Sequence, residues 1–162
     1  MGLNSKLTQL NELLDGADGA VTTLANASAF LYDCLDDVNW AGFYLLRGES
    51  LLLGPFQGKP ACTRISVGTG VCGTAIARGE TICVDDVHCF SGHIACDAAS
   101  NSEIVVVLRD SRGEAFGVLD VDSAKFARFG PLEQEFLENA AKIISLAASD
   151  QYRKETGPND IY

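Results

Sequence analysis

A hairpin written into residues 104–121 constrains this chain more than any other feature. Residues 104–108 form a continuous apolar run, Ile-Val-Val-Val-Leu, as in a strand covered on both faces. Asp110-Ser111-Arg112-Gly113 reads as the turn and residues 114–121 as the returning strand. Around this pair the chain must build a sheet and pack something against it.

The rest of the sequence supplies both. Leu3, Leu7, Leu10 and Leu14 give one amphipathic helix, ended by Gly16-Ala17-Asp18-Gly19. Val21, Leu24, Ala27, Leu31 and Leu35 give a second at spacings of three and four. Residues 38–46 and 51–56 read as strands joined around Arg47-Gly48, and 63–67 and 81–84 as shorter strands. Between these two, Gly68-Thr69-Gly70 opens a short helix over residues 71–78. Residues 88–102 lack periodicity and form a long loop, a length that tends to be functional inside a compact domain. Gly130-Pro131 starts the last helix, with Glu133 and Glu135 at its positive end and Leu132, Phe136, Ala140, Ile143 and Ala147 as its buried stripe. Residues 151–162 read as a polar, fraying end. This order predicts an α+β domain, an antiparallel sheet of about six strands backed by terminal helices, with the other face open for a pocket.

At 162 residues and 47% hydrophobic content, the chain is one globular domain. The expected division is a helix and turn over 1–19, the domain proper over 20–148 and a polar tail over 149–162. A net charge of −10 without a basic stripe argues against binding a phosphate backbone. No apolar run reaches membrane-spanning length, and the first residues lack a signal core. Six cysteines in such a chain point to reduced thiols in the cytoplasm rather than a disulfide scaffold.

Hairpin arithmetic extends the argument to a site. With the turn centred between Ser111 and Arg112, opposed residue numbers sum to 223, so Glu103 faces Asp120 and Asp122 is the next neighbour on that side. Like charges crowded in this way raise at least one carboxyl pKa. A protonated acid can donate to a substrate oxygen, and an ionised neighbour can hold an ammonium group. The competing account is a strand end that merely projects solvated acids.

The cysteines divide by setting. Cys62, Cys72 and Cys96 lie in glycine-flanked, loop-like sequence, ten and then twenty-four residues apart, the arrangement of a nucleophile with thiols ready to resolve it. Cys72 falls in the first turn of the short helix, where the helix dipole favours thiolate and makes it, rather than Cys62, the expected first resolving partner. Cys34 and Cys83 read as apolar fillers of a helix and a strand, and Cys89 has no assigned part. Zinc is the alternative for Cys83, His88, Cys89, His93 and Cys96, but their spacings match no zinc module. Trp40 and Tyr44, four apart on the first strand, share a face and suit either a pocket wall or core packing.

Taken together, Asn39-Trp40-Ala41-Gly42-Phe43-Tyr44, Leu53-Gly54-Pro55-Phe56-Gln57-Gly58, Gly70-Val71-Cys72-Gly73-Thr74-Ala75 and Gly92-His93-Ile94-Ala95-Cys96-Asp97 resemble the free methionine-(R)-sulfoxide reductases, which are standalone GAF domains. Ser100-Asn101-Ser102-Glu103-Ile104 and Gly117-Val118-Leu119-Asp120-Val121-Asp122 carry the same likeness, which spans roughly residues 20–148. The chain departs from the family at Val106-Val107-Leu108, where a proline is common, and in a longer following turn. The resemblance implies Cys96 as nucleophile, Cys62 and Cys72 as resolving thiols, and a thioredoxin-recycled disulfide. It also implies a substrate pocket of Trp40, Tyr44, Ile94, Ala95, Glu103, Asp120 and Asp122. Glu103 or Asp122 would donate the proton. No metal or organic cofactor is expected. The partners expected are free methionine sulfoxide and thioredoxin, with no nucleic acid and no membrane, and a homodimer is left open. The alternative is a non-catalytic GAF sensor of a small molecule, which normally passes its signal to an attached output domain; 162 residues leave no room for one.

Overall fold

A computed structural model describes residues 2–92 and 98–156, with the side chains of 155 and 156 excepted. Helices α1 (Leu3–Leu14) and α2 (Ala20–Cys34) lead into strands β1 (Val38–Arg47), β2 (Ser50–Gly58) and β3 (Arg64–Ser66). Then come α3 (Gly70–Arg78), β4 (Ile82–Val84), a single 3-10 turn (Val87–Cys89), β5 (Ser102–Arg109), β6 (Ala115–Ser123) and α4 (Pro131–Thr156). The six strands form one antiparallel sheet in the order β3-β2-β1-β6-β5-β4, so the hairpin strands β5 and β6 lie inside it. The domain is α+β, as the element order predicts.

Alternation along the central strands creates two cores. Ala41, Phe43, Ile104, Val106, Leu108, Leu119 and Val121 face α1, α2 and α4, against Leu10, Leu24, Leu31, Phe136 and Leu137. Trp40, Tyr44, Val105 and Val118 face the opposite way, onto Val71, Cys72 and Ala75 of α3 and onto Val84 and Val87. Burying one such large apolar side chain contributes about 1.5–3 kcal/mol. Both cores therefore depend on the period-two pattern being kept in register.

Three helix expectations are revised. Val21 is 67% exposed, and the buried stripe of α2 runs instead through Ala20, Leu24, Ala27 and Leu31. Leu132 is 69% exposed, because Phe129, just ahead of α4, fills that end of the core. Phe136 and Ala140 are buried, and Ile143 and Ala147 pack partly against the core as the stripe requires. The helix also continues through the stretch that composition marks as fraying. Tyr152 is buried against Phe116, ring centroids 5.7 Å apart, with the Arg47 guanidinium 4.4 Å above its ring. Arg153 pairs with Asp110 and Glu114 at the β5–β6 turn. These contacts tie the last turns of α4 to the sheet.

The hairpin register differs from the arithmetic. Asp110 N–H donates to Glu114 O across a loop of Ser111, Arg112 and Gly113, where Gly113 takes the left-handed φ of 81° that turns the chain. A bulge then interrupts the ladder between Leu108 and Arg109. Each irregularity adds one residue to the sum. The observed pairs are Glu103↔Asp122 and Val105↔Asp120, rather than Glu103 opposite Asp120. A displacement of two leaves every side chain on its original face.

Candidate active site

Glu103, Asp120 and Asp122 consequently share the sheet face turned toward α3. Glu103 and Asp122 are directly opposed across the ladder, and Asp120 lies diagonally beside Glu103. These acids are not a solvated strand end: Glu103 is 7% and Asp120 6% exposed. Cys72, projecting from α3, places its Sγ 4.0 Å from Glu103 Oε1. One sulfur and two carboxylates thus converge, with potential ligand atoms all within 4.8 Å of one another.

Burial sets the protonation of this group, and mutual repulsion reinforces it. Glu103 is driven well above the usual carboxylate range by burial and by the charges of Asp120 and Asp122. Burial raises Asp120 too, to about 7, while hydrogen bonds from Cys72 and Glu103 oppose the rise. Asp120 is therefore the acceptor and Glu103 the proton holder.

Cys72 does not have the character its helix position predicts. It is 3% exposed, and burial together with Asp120, Glu103 and Asp122 pushes its thiol well above the ordinary value. A dipole worth about half a charge at a helix start does not outweigh desolvation beside carboxylates. Cys72 is a buried neutral thiol.

Trp40 and Tyr44 lie buried on the same sheet face and also hold down the segment that follows β2. Trp40 Nε1 donates to Lys59 O at 3.1 Å, and Tyr44 Oη donates to Cys62 O at 2.9 Å. The segment carrying Cys62 is thereby fastened over the sheet. Cys62 itself is in a disulfide, whereas Cys34, Cys72, Cys83 and Cys89 are free thiols. Sequence reasoning missed Phe56, which stacks on Trp40 with centroids 5.2 Å apart, as Tyr44 does at 6.0 Å. Gly42 makes room for this row: a Cβ there would lie 2.3 Å from Phe56 Cβ and 2.8 Å from Trp40 Cη2. A glycine between two same-face aromatics was the available signal.

The remaining cysteines lie elsewhere. Cys34 is half-buried in α2, as expected of a filler. Cys83 is not one: it is exposed, because β4 is a three-residue edge strand, and its thiol donates to Phe129 O at 3.3 Å. Cys89 is exposed beside Asp86. Ile94, Ala95 and Cys96, together with His93, lie outside the described residues.

The acid pair should leave a signature in stability. A carboxyl whose folded pKa exceeds its unfolded value of about 4 is stabilising while protonated, and that advantage disappears as pH rises through the folded pKa. For Asp120 the window runs from about 4 up to about 7. Asp120→Asn should therefore raise the melting temperature relative to the parent at pH 8.5 by on the order of 5 °C more than at pH 5. Differential scanning fluorimetry at the two pH values measures this. An unchanged difference would show that Asp120 is not a strained, buried acid.

The GAF domain family model matches residues 7–148. Free methionine-R-sulfoxide reductase of Escherichia coli (strain K12) is 52% identical over 145 residues, covering 89% of this chain and 87% of that protein. The Saccharomyces cerevisiae protein of the same name is 43% identical, covering 88% and 83% respectively. The X-ray structure of free methionine-R-sulfoxide reductase from Neisseria meningitidis in complex with its substrate superposes with a TM-score of 0.88 at 39% identity, covering 94% of this chain and 91% of that one. With its six-stranded antiparallel sheet and its buried thiol and carboxylates, this chain belongs to the free methionine-R-sulfoxide reductases, oxidoreductases built on a GAF domain.

Proposed function

We propose that the protein reduces free L-methionine-(R)-S-oxide to L-methionine with cysteine thiols alone. The observation that carries this reading is a disulfide-bonded Cys62 fastened by Tyr44 above a buried acid pair. In it, the Cys96 thiolate attacks the sulfoxide sulfur. The protonated carboxyl of Glu103 donates to the oxygen, a role its burial favours over the partly exposed Asp122. Oxygen passes from substrate to enzyme: methionine leaves as the thioether and Cys96 becomes a sulfenic acid. The Cys62 thiol condenses with it, releasing water and forming the disulfide. Thioredoxin's dithiol then reduces that disulfide and is itself oxidised. Cys62 is favoured over Cys72 because it is the described cysteine found in a disulfide, while Cys72 is a free, buried thiol.

Substrate selection follows from the same groups. Asp120 and Asp122 offer negative charge to the ammonium group, and the Trp40–Tyr44–Phe56 row offers an apolar wall to the methyl end. A substrate without the ammonium leaves a buried carboxylate without its counter-charge, and such losses cost on the order of 10³-fold or more in kcat/KM. Methionine formation should therefore be rapid with the free R epimer. It should be undetectable with the S epimer and at least about 10³-fold slower with N-acetylmethionine sulfoxide. A chromatographic assay with dithiothreitol as reductant compares the three. Equal rates for the free and acetylated compounds would overturn the ammonium assignment.

A further inference from the structure

We propose that Asn101, held by His88, is a positioning residue for the nucleophilic thiol, a role that rests on the reading of Cys96 in the proposed function. Asn101 stands between the two reacting groups in the chain: Cys96 lies five residues before it, and the proton donor Glu103 two after it. All four of its polar groups are engaged, and they reach two separate elements. Its N–H donates to Ser123 O at 2.8 Å, at the end of β6, and Nδ2 donates to Ala124 O at 2.7 Å. Toward the 3-10 turn, its carbonyl oxygen accepts from Val87 N–H at 2.9 Å, and Oδ1 lies 3.1 Å from His88 Nε2. Because Nδ2 faces a carbonyl, which only accepts, Oδ1 is turned to His88, and His88 donates from Nε2. That N–H is present in one neutral tautomer and in the charged ring alike. Ser100, 6% exposed, adds an anchor on β1, its Oγ accepting from Asn39 Nδ2 at 3.1 Å.

These bonds join the two ends of the segment that contains Cys96: the 3-10 turn at Val87–Cys89 precedes it, and Ser100 and Asn101 follow it. A loop closed at its base has fewer arrangements open to it than one with free ends. Strand β5 begins one residue after Asn101, and Glu103 is fixed in its ladder opposite Asp122. Asn101 therefore ties the base of the nucleophile's segment to the strand that carries the acid. Attack on sulfur and proton delivery to oxygen must meet on one sulfoxide, where a misplacement of about 1 Å costs on the order of 100-fold. The acids and the aromatic row do not depend on the amide, since ladder pairing and stacking hold them. Losing it should disturb the nucleophile and spare the substrate contacts.

Asn101→Leu keeps the branched shape and both backbone bonds while removing the side-chain ones. Under single turnover with free methionine-(R)-sulfoxide, its maximal rate should fall by on the order of 100-fold. The half-saturating sulfoxide concentration should stay within about threefold of the parent's. Alkylation of Cys96 by iodoacetamide, followed by mass spectrometry, should be at least as fast as in the parent, because that reagent needs no docking. His88→Leu should reproduce the loss in part, by on the order of 10-fold, and His88→Gln, whose amide N–H can replace Nε2–H, should restore the rate. In the Asn101→Leu/His88→Leu variant the two losses should not add. Maximal rates within about twofold of the parent in Asn101→Leu and His88→Leu would overturn the role, as would alkylation slowed as much as turnover. If Asn101→Leu does not fold, the His88 pair, on an exposed turn, decides by the same readings. Methionine formation that survives Cys96→Ser would sink the proposed function and the positioning role together. A parent that needs Cys96 but is indifferent to both leucine variants sinks the positioning role alone.

Discussion

Cys96→Ser is expected to abolish methionine formation, lowering single-turnover rates by on the order of 10⁴-fold or more. Reduction of a sulfoxide at a thiol needs an atom that is nucleophilic near neutral pH and can hold the transferred oxygen as a sulfenic acid. A serine hydroxyl does neither. Cys34 sits in α2 among the residues of the helix-facing core, so its thiol is on the wrong side of the sheet. Cys72 is held neutral by burial, and Cys83 donates to Phe129 O from the edge strand. Melting temperature and far-ultraviolet circular dichroism should match the parent, so that the loss reports chemistry. Single-turnover release of methionine by Cys96→Ser at near the parent rate would remove Cys96 as nucleophile.

Cys62→Ser should separate the first half-reaction from recycling. With thioredoxin as reductant, the variant should release about one methionine per active site and then stall, its steady-state rate falling by on the order of 10³-fold. A sulfenic acid should accumulate, detectable by trapping with a cyclic dione and mass spectrometry. Cys72→Ser should continue past one turnover under the same conditions. The contrast rests on burial. Cys62 lies half-buried on a rim segment tied by Tyr44 and Trp40, where a small movement frees its sulfur for an external dithiol. Cys72 is 3% exposed beneath that segment, and its raised pKa starves it of thiolate. Sustained thioredoxin-driven turnover in Cys62→Ser, with a stall in Cys72→Ser, would reverse the assignment and restore the preference that the helix start alone suggests.

Which elements form, and which way their side chains point, was legible in the residues, because both follow from local periodicity. The spacing of Leu24, Ala27 and Leu31 made α2, and the continuous run from Ile104 to Leu108 made β5. Parity along β5 and β6 put Glu103, Asp120 and Asp122 on one face even though the assumed register was wrong by two, since an even slip preserves the face. Their facing partners were not legible: a three-residue loop and a bulge each moved the ladder by one, and neither leaves a mark in hydrophobic pattern. Burial was decided only by the tertiary structure. Packing α3 onto β5 and β6 closed over Cys72 and two acids, turning an expected thiolate into a neutral thiol and deciding for buried, protonated acids over a solvated strand end. The same assembly exposed Leu132 and Cys83 and brought Phe56 beside Trp40. Periodicity is a property of neighbours along the chain, whereas desolvation depends on what other elements lay across a residue, so only the assembled fold could set the chemistry of this pocket.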